Sequence, residues 1–285
     1  MGWPEETLIK WAEHCKALGW FRRSHVPKTR ADAMAVGGGQ MEMFPEELKP
    51  PKFPKKAKRV EVDSVLLMPG KNNSKLGNYV VDKQGQRIGR IFTLSWQERD
   101  TATCPATCEQ WNVCYGQNMR FGTRWKFEVA RQPLIEQVLD TQLAGLQAEA
   151  QKTDTFVFVR RHGLGDIPNV AHERVWVGRV LAAYDRIRVF GYTHRRPNTD
   201  GVFEVVEGYN DRWWGTRYRM YSSDSGLRRR GANIYQSVEE AMASGDMVCL
   251  EQRERADTCG SCTYCLPGEE FWGGRSERSM GLIEH

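Results

Sequence analysis

The chain has 285 residues, 41 Lys and Arg against 36 Asp and Glu for a net charge of +5, and eight cysteines. It is long enough to bury a full core, as one large α/β domain or two smaller ones. No apolar run approaches the roughly eighteen residues of a spanning helix, and Met1 to Glu6 is acidic where a signal peptide is basic, so the expectation is a cytoplasmic protein without a membrane partner.

Cysteines in such a compartment stay reduced and commonly bind metal; a disulfide framework in an extracellular protein is the alternative. The mild positive charge does not by itself imply nucleic acid.

Pro4, Glu5 and Glu6 open a predicted helix with Leu8, Ile9, Trp11, Ala12, Cys15 and Leu18 on one face and Gly19 as its stop. Cys15 has no cysteine near it in sequence and reads as a small buried hydrophobe. From Phe44 to Arg59, Pro45, Pro50, Pro51 and Pro54 interleave with Lys49, Lys52, Lys55, Lys56 and Lys58. This is the composition of an extended arm, its lysines solvated or touching phosphate. Residues 1–59 are therefore set apart from an α/β domain at 60–245.

Within that domain, strand-like pieces fall at Val65 to Leu67, Tyr79 to Val81 and Ile88 to Leu94, separated by the turn Gly70 to Ser74 and by Gly85. Helix-like Pro133 to Gln151, strand-like Phe156 to Val159, helix-like His172 to Tyr184 and strand-like Ile187 to Tyr192 follow. A charged insertion with tryptophans, Arg195 to Trp214, precedes a strand at Tyr218 to Tyr221. A helix at Ser237 to Ala243 then leads to Met247 to Leu250 and a cysteine-rich segment at 246–285. Continuous apolar strands alternating with amphipathic helices predict an α/β fold, with a parallel sheet or barrel covered by helices.

Two cysteine groups carry the chemistry. Cys104, Cys108 and Cys114 lie in a loop after the third strand-like piece. A closed zinc or iron-sulfur site takes four protein ligands, and three leave one position open for substrate, water or cofactor. With no histidine close by, iron-sulfur ligation suits the trio best, zinc and uncoordinated thiols being the alternatives. Cys249, Cys259, Cys262 and Cys265 form a complete set, two of whose steps are C-x2-C, for iron or zinc.

A third feature lies past the strand ends, where α/β folds bind ligands. Gly163, Gly165 and Asp166 follow one strand there, with a plain glycine turn as the alternative. Arg160 and Arg161 leave the same strand, Arg195 and Arg196 the next, and Arg228, Arg229 and Arg230 the one after. A rim of guanidinium groups favours phosphate-bearing partners, and Trp213 and Trp214 stand ready to stack on a base or to pack.

The loop Thr103-Cys104-Pro105 with Cys114-Tyr115, the run Val159 to Asp166, the strand end Phe190 to Thr193, the upstream Asn73 to Gly77 and the Cys249 to Cys265 finish together resemble the bacteriophage "gene product 88" family. That family looks like an outlying relative of radical S-adenosylmethionine (SAM) enzymes. The resemblance implies a partial (β/α) barrel of radical-SAM type with an N-terminal extension and a C-terminal cysteine-rich metal segment. It implies a [4Fe-4S] cluster on Cys104, Cys108 and Cys114, and SAM held at Gly163, Gly165 and Asp166. Asp166 is its catalytic candidate, and Ser222 and Ser223 would meet the SAM carboxylate or ribose. The usual spacing is C-x3-C-x2-C; here five residues separate Cys108 from Cys114.

The expected function is an iron-sulfur enzyme of radical SAM type, phage-encoded and working in the host cytoplasm on a nucleotide or nucleic acid, with flavodoxin or ferredoxin as electron donor. Its second metal group would be an iron-sulfur cluster or zinc at the C-terminal cysteines. The competing expectation is a non-catalytic, metal-stabilised nucleic-acid-binding protein.

Overall fold

A computed structural model describes residues 57–73, 75–108, 111, 114, 123–223, 229–250, 256–268, 271 and 278–283. The expected amino-terminal helix with Cys15, most of the Pro/Lys-rich arm, Ser74, Tyr115 and Arg228 lie outside the described residues.

In chain order the strands are β1 (Lys58–Arg59), β2 (Met68–Pro69), β3 (Tyr79–Val81), β4 (Arg87–Thr93), β5 (Trp125–Lys126), β6 (Phe156–Arg161), β7 (Ile187–Thr193), β8 (Tyr218–Ser223), β9 (Gly231–Tyr235), β10 (Met247–Val248) and β11 (Met280–Ile283). The helices are α1 (Gln132–Thr153), α2 (Val170–Ala183), α3 (Val202–Trp213), α4 (Val238–Ala243) and α5 (Cys259–Cys262). The main sheet runs β10-β11-β9-β8-β7-β6-β4-β2, with β3 also on β4, and does not close into a barrel among the described residues. β4, β6, β7, β8 and β9 are consecutive and parallel, while β2 and β3 pair antiparallel with β4.

Local chemistry sets the helix boundaries. Pro133 lies in the first turn of α1, and Asp154 closes it in a left-handed cap with φ 50°. Asn169 caps α2 by accepting from the His172 N–H, and Ser237 caps α4 by accepting from the Glu240 N–H.

A right-handed crossover repeated in one direction puts every connecting helix on the same face of the sheet. The packing agrees. Val157, Val159, Ile187, Val189, Tyr218 and Met220 turn toward α1, α2 and α3 in one core with Ile135, Leu139, Val177, Val180 and Val206. Alternate residues of the same strands, Ile91, Phe158 and Phe190, turn the other way and meet Leu266 and Phe271. The carboxyl-terminal segment thus covers the inner face.

Three expectations change. The segment Val65 to Leu67 is not a strand; Leu66 and Leu67 are buried, their N–H groups bound by Gln142 Oε1, and the strand is the next pair, Met68–Pro69. The charged insertion contains α3, an ordinary crossover helix started by Gly201 at φ 77°. The segment 246–285 is not separate, because β10 and β11 complete the main sheet and Ala57–His285 forms one compact unit. No described helix is long and apolar enough to cross a membrane.

Candidate metal centres

The first thiol group sits on the loop that leaves β4. Beyond Thr93 the chain stays laced to the end of β6 and the loop after it: Leu94 N–H donates to Arg160 O at 3.1 Å, Gly163 N–H to Leu94 O at 3.0 Å, and Trp96 N–H to Leu164 O at 3.0 Å. Asp100 then turns the chain, its carbonyl accepting from the N–H groups of Thr103 at 2.9 Å and Cys104 at 2.7 Å. The buried Arg195 donates from Nη2 to Thr103 O at 2.7 Å. Cys104 therefore leaves a backbone held from two sides.

Burial pushes its thiol up to about 11, and the negative charges of Asp166 and Cys114 push the same way. Cys114 is thus close enough for its charge to act on Cys104. Cys104, Cys108 and Cys114 are each half-buried.

The glycines answer to the lacing. A Cβ at Gly163 would stand 2.9 Å from Thr93 Oγ1 and from Ser95 Oγ; at Gly165, φ +69°, it would stand 2.7 Å from Trp96 Cβ. Both seat the β6 loop against the β4 extension, which is the plain-turn alternative. Asp166, 1% exposed, accepts from Ile167 N–H and Thr193 Oγ1 through Oδ1, and from His194 N–H through Oδ2, each at 2.7 Å. The expectation of an open carboxylate for a cofactor amine is corrected: Asp166 is a strut between the β6 loop and the end of β7. Ser222 and Ser223 lie at the end of β8 and are buried.

The arginine rim dissolves on inspection of partners. Arg161, 0% exposed, pairs with Glu173 on α2 and lies 4.1 Å over the Trp176 ring. Arg195, 7% exposed, binds Asp200 and three backbone carbonyls. Arg230, 3% exposed, pairs with Glu207 and Asp211 of α3. Each was expected at the surface because arginine is rarely buried unless paired; here an acidic residue on an adjoining element supplies the pair.

Of the remaining rim residues, Arg160 faces the Tyr192 ring at 5.8 Å, Arg196 is half-buried and Arg229 exposed. Trp214 is packed edge-on against Tyr221. The open groove lined by Arg174, Gly201, Tyr209 and Trp213 lies between α2 and α3 and contains none of the thiols.

The second thiol group crosses the inner face. Thr258 and Ser261 form a capping box at the start of α5. Cys259 N–H donates to Lys75 O at 2.7 Å and Gly260 N–H to Leu76 O at 3.1 Å; a Cβ at Gly260 would stand 2.0 Å from Tyr79 O. Arg219 Nη1 donates to Tyr264 O at 3.0 Å, Arg188 Nη1 to Pro267 O at 3.3 Å, and Gly268 N–H to Gly215 O at 3.2 Å. The segment is thereby fastened from the β3 edge to β8.

Burial holds the Cys265 thiol well above its ordinary range, and the charges of Cys249, Cys259 and Cys262 raise it further. The three other thiols are thus near enough for their charge to act on Cys265. The Tyr192 hydroxyl is 2.9 Å from Cys265 Sγ, a contact across 73 positions that nothing local in the sequence announces.

Among the described residues no group of three or more His, Cys, Asp or Glu side chains stands at metal-holding geometry, and the described cysteines form no disulfide. The fit to a metal is one of donor chemistry: four half-buried or buried thiols, three of which act on the fourth, Cys265, are the donor set of zinc or an iron-sulfur cluster. The Cys104 and Cys114 pair suits part of a three-thiolate site by the same measure. No protein-family model matches the chain, nor does any curated protein or solved structure.

Proposed function

We propose that the chain is an iron-sulfur enzyme of radical SAM type on a partial (β/α) barrel, with Cys104, Cys108 and Cys114 holding the reactive [4Fe-4S] cluster. Cys249, Cys259, Cys262 and Cys265 would hold a second, fully liganded metal group. The observation that carries the reading is the position of Cys104. It follows the carboxyl end of the first parallel strand, where open α/β sheets take their ligands, and feels the charge of Cys114.

When bound, such a cluster supplies one electron, delivered by an external donor of the flavodoxin or ferredoxin class, for reductive cleavage of SAM. The chain's own part is positional. Asp100 and Arg195 fix the Thr103 to Cys104 backbone, and the Asp166 carboxylate opposes additional negative charge beside Cys104. That repulsion favours a site with few thiolates and an open position. For the substrate the proposal narrows: contact with a nucleotide or nucleic acid would rest on Arg160, Arg196 and Arg229, since Arg161, Arg195 and Arg230 are held by internal acids.

A second reading, of two structural metal sites without catalysis, is favoured by one observation: Gly163, Gly165 and Asp166 are all engaged in the scaffold. Anaerobic purification separates the two. About eight irons per chain with matching sulfide, and 5′-deoxyadenosine formed from SAM on reduction, support the enzyme. Full metal loading without SAM cleavage supports the structural reading, and two zincs per chain exclude the iron-sulfur enzyme.

A further inference from the structure

Cys265 is half-buried against the inner face of the sheet, and a phenol hydroxyl lies within hydrogen-bond distance of its sulfur. Tyr192 projects from β7 onto the inner face, its ring stacked on Tyr221 of β8 with centroids 5.6 Å apart and an interplanar angle of 26°. Tyr221 is in turn braced edge-on by Trp214 at 5.1 Å, and the Arg160 guanidinium stands 5.8 Å from the Tyr192 ring. Packing on these sides leaves the hydroxyl aimed at Cys265 Sγ, 2.9 Å away.

Metal-bound thiolates at this depth carry negative charge into a low-dielectric face, where an uncompensated charge is costly. A metal-bound thiolate has no proton to give, so a hydroxyl 2.9 Å from it is the donor of the hydrogen bond.

We propose that Tyr192 is the positioning residue of the carboxyl-terminal metal site, its hydroxyl donating to the Cys265 sulfur and fixing that ligand's orientation and charge. The inference rests on the four-thiolate reading given above. It also gives β7 a double role, because the next residue, Thr193, holds Asp166 at 2.7 Å, and Asp166 acts on Cys104. Two consecutive residues of one strand thus touch both thiol groups or their supports.

The test uses the full chain, freed of metal and titrated with cobalt(II) as the probe. Tyr192→Phe removes the hydroxyl and keeps the ring stack. It should bind as much cobalt as the parent, with the sulfur-to-cobalt charge-transfer band moved to lower energy and release to a chelator faster by about 10-fold or more. Tyr221→Phe, which removes the neighbouring hydroxyl, should leave band and release rate close to the parent's. Should Tyr192→Phe not fold, 3-fluorotyrosine at position 192, a more acidic phenol and a stronger donor, should move the band the opposite way. Parent-like band and release rate in the altered protein overturn the inference while leaving the four-thiolate site standing. A parent chain that takes up no cobalt with a thiolate band overturns the site itself.

Discussion

Both thiol groups are tied to the sheet by backbone hydrogen bonds, but they sit in different surroundings. The loop of Cys104, Cys108 and Cys114 hangs from backbone hydrogen bonds at the carboxyl end of the sheet, its turn set by Asp100 and Arg195, with a carboxylate beside Cys104. The segment of Cys259, Cys262 and Cys265 lies across an apolar face, sealed by Leu266 and Phe271, with a phenol beside Cys265. A carboxylate penalises each added thiolate and a donor relieves it. The contrast matches a group that stops at three and one that reaches four. On the proposed metal sites the consequences should differ: the loop's backbone bonds should outlast its sulfurs, whereas a metal on the segment should add to the stability of the inner face.

The largest expected effect follows from that dependence. Cys265→Ser should remove the metal from the carboxyl-terminal group, because metal binding there is also folding energy. Stability should fall by several kcal/mol, and protease cleavage within 258–268 should become easy. Cys104→Ser should lose iron from the loop and leave thermal unfolding close to the parent's. Equal stability losses from the two changes, or loss of all metal from either, would mean that the groups are not independent.

Next comes the loop's own support. Arg195→Ala leaves the Thr103, Ile167 and Pro168 carbonyls without their buried donor, at a cost of about 3 kcal/mol. Because Thr103 precedes Cys104, iron bound by the loop should fall in parallel, with the carboxyl-terminal metal unchanged. Unfolding in denaturant and metal analysis of the two variants side by side would show whether support and ligation travel together.

How much of this is readable in the sequence differs by region for physical reasons. Parallel strands buried on both faces appear as unbroken apolar runs, so Phe156 to Val159 and Ile187 to Tyr192 announce β6 and β7 directly. Helix α3 escapes notice because Val202 and Val206 are spaced among Glu204, Glu207, Asp211 and Arg212, and the charge hides the stripe. β9 and β11 are only five and four residues long. At the site, the cysteine spacing is legible, but the bonds that tie Asp166 to Thr193, Arg195 to Thr103 and Cys265 to Tyr192 span 27 or more positions. Such pairings depend on strand order, which no local pattern carries.

A smaller effect sharpens the electrostatic half of the comparison. Asp166→Asn removes a negative charge that raises the Cys104 thiol, and it sets an amide N–H₂ either against the Ile167 N–H and Thr193 hydroxyl or against the His194 N–H. Stability should drop by about 1–3 kcal/mol. In metal-free protein, alkylation of Cys104, followed by peptide mass analysis, should move its midpoint to lower pH. An unmoved midpoint would assign the raised thiol to burial alone and remove Asp166 from the account of why the loop stops at three.

The last expected effect is the pH dependence of the metal-free chain. Cys104 has an ordinary thiol value of 9.0 when exposed and about 11 when folded, so the native state holds a proton that the unfolded chain releases. A raised acid constant of this kind stabilises the fold at pH below the unfolded value, and the contribution is lost as pH rises from 9.0 toward about 11. Cys265, raised by burial and by three neighbouring thiolates, acts in the same direction. Metal-free protein should therefore lose stability across that window, seen as a falling midpoint in urea. Metal-loaded protein should not, since bound thiolates have already given up their protons. Cys104→Ser should flatten only part of the slope, and the part that persists measures the carboxyl-terminal group. If the slope vanishes entirely with Cys104, the buried thiol at Cys265 exchanges no proton on unfolding, and the contrast between the two groups fails at its electrostatic root.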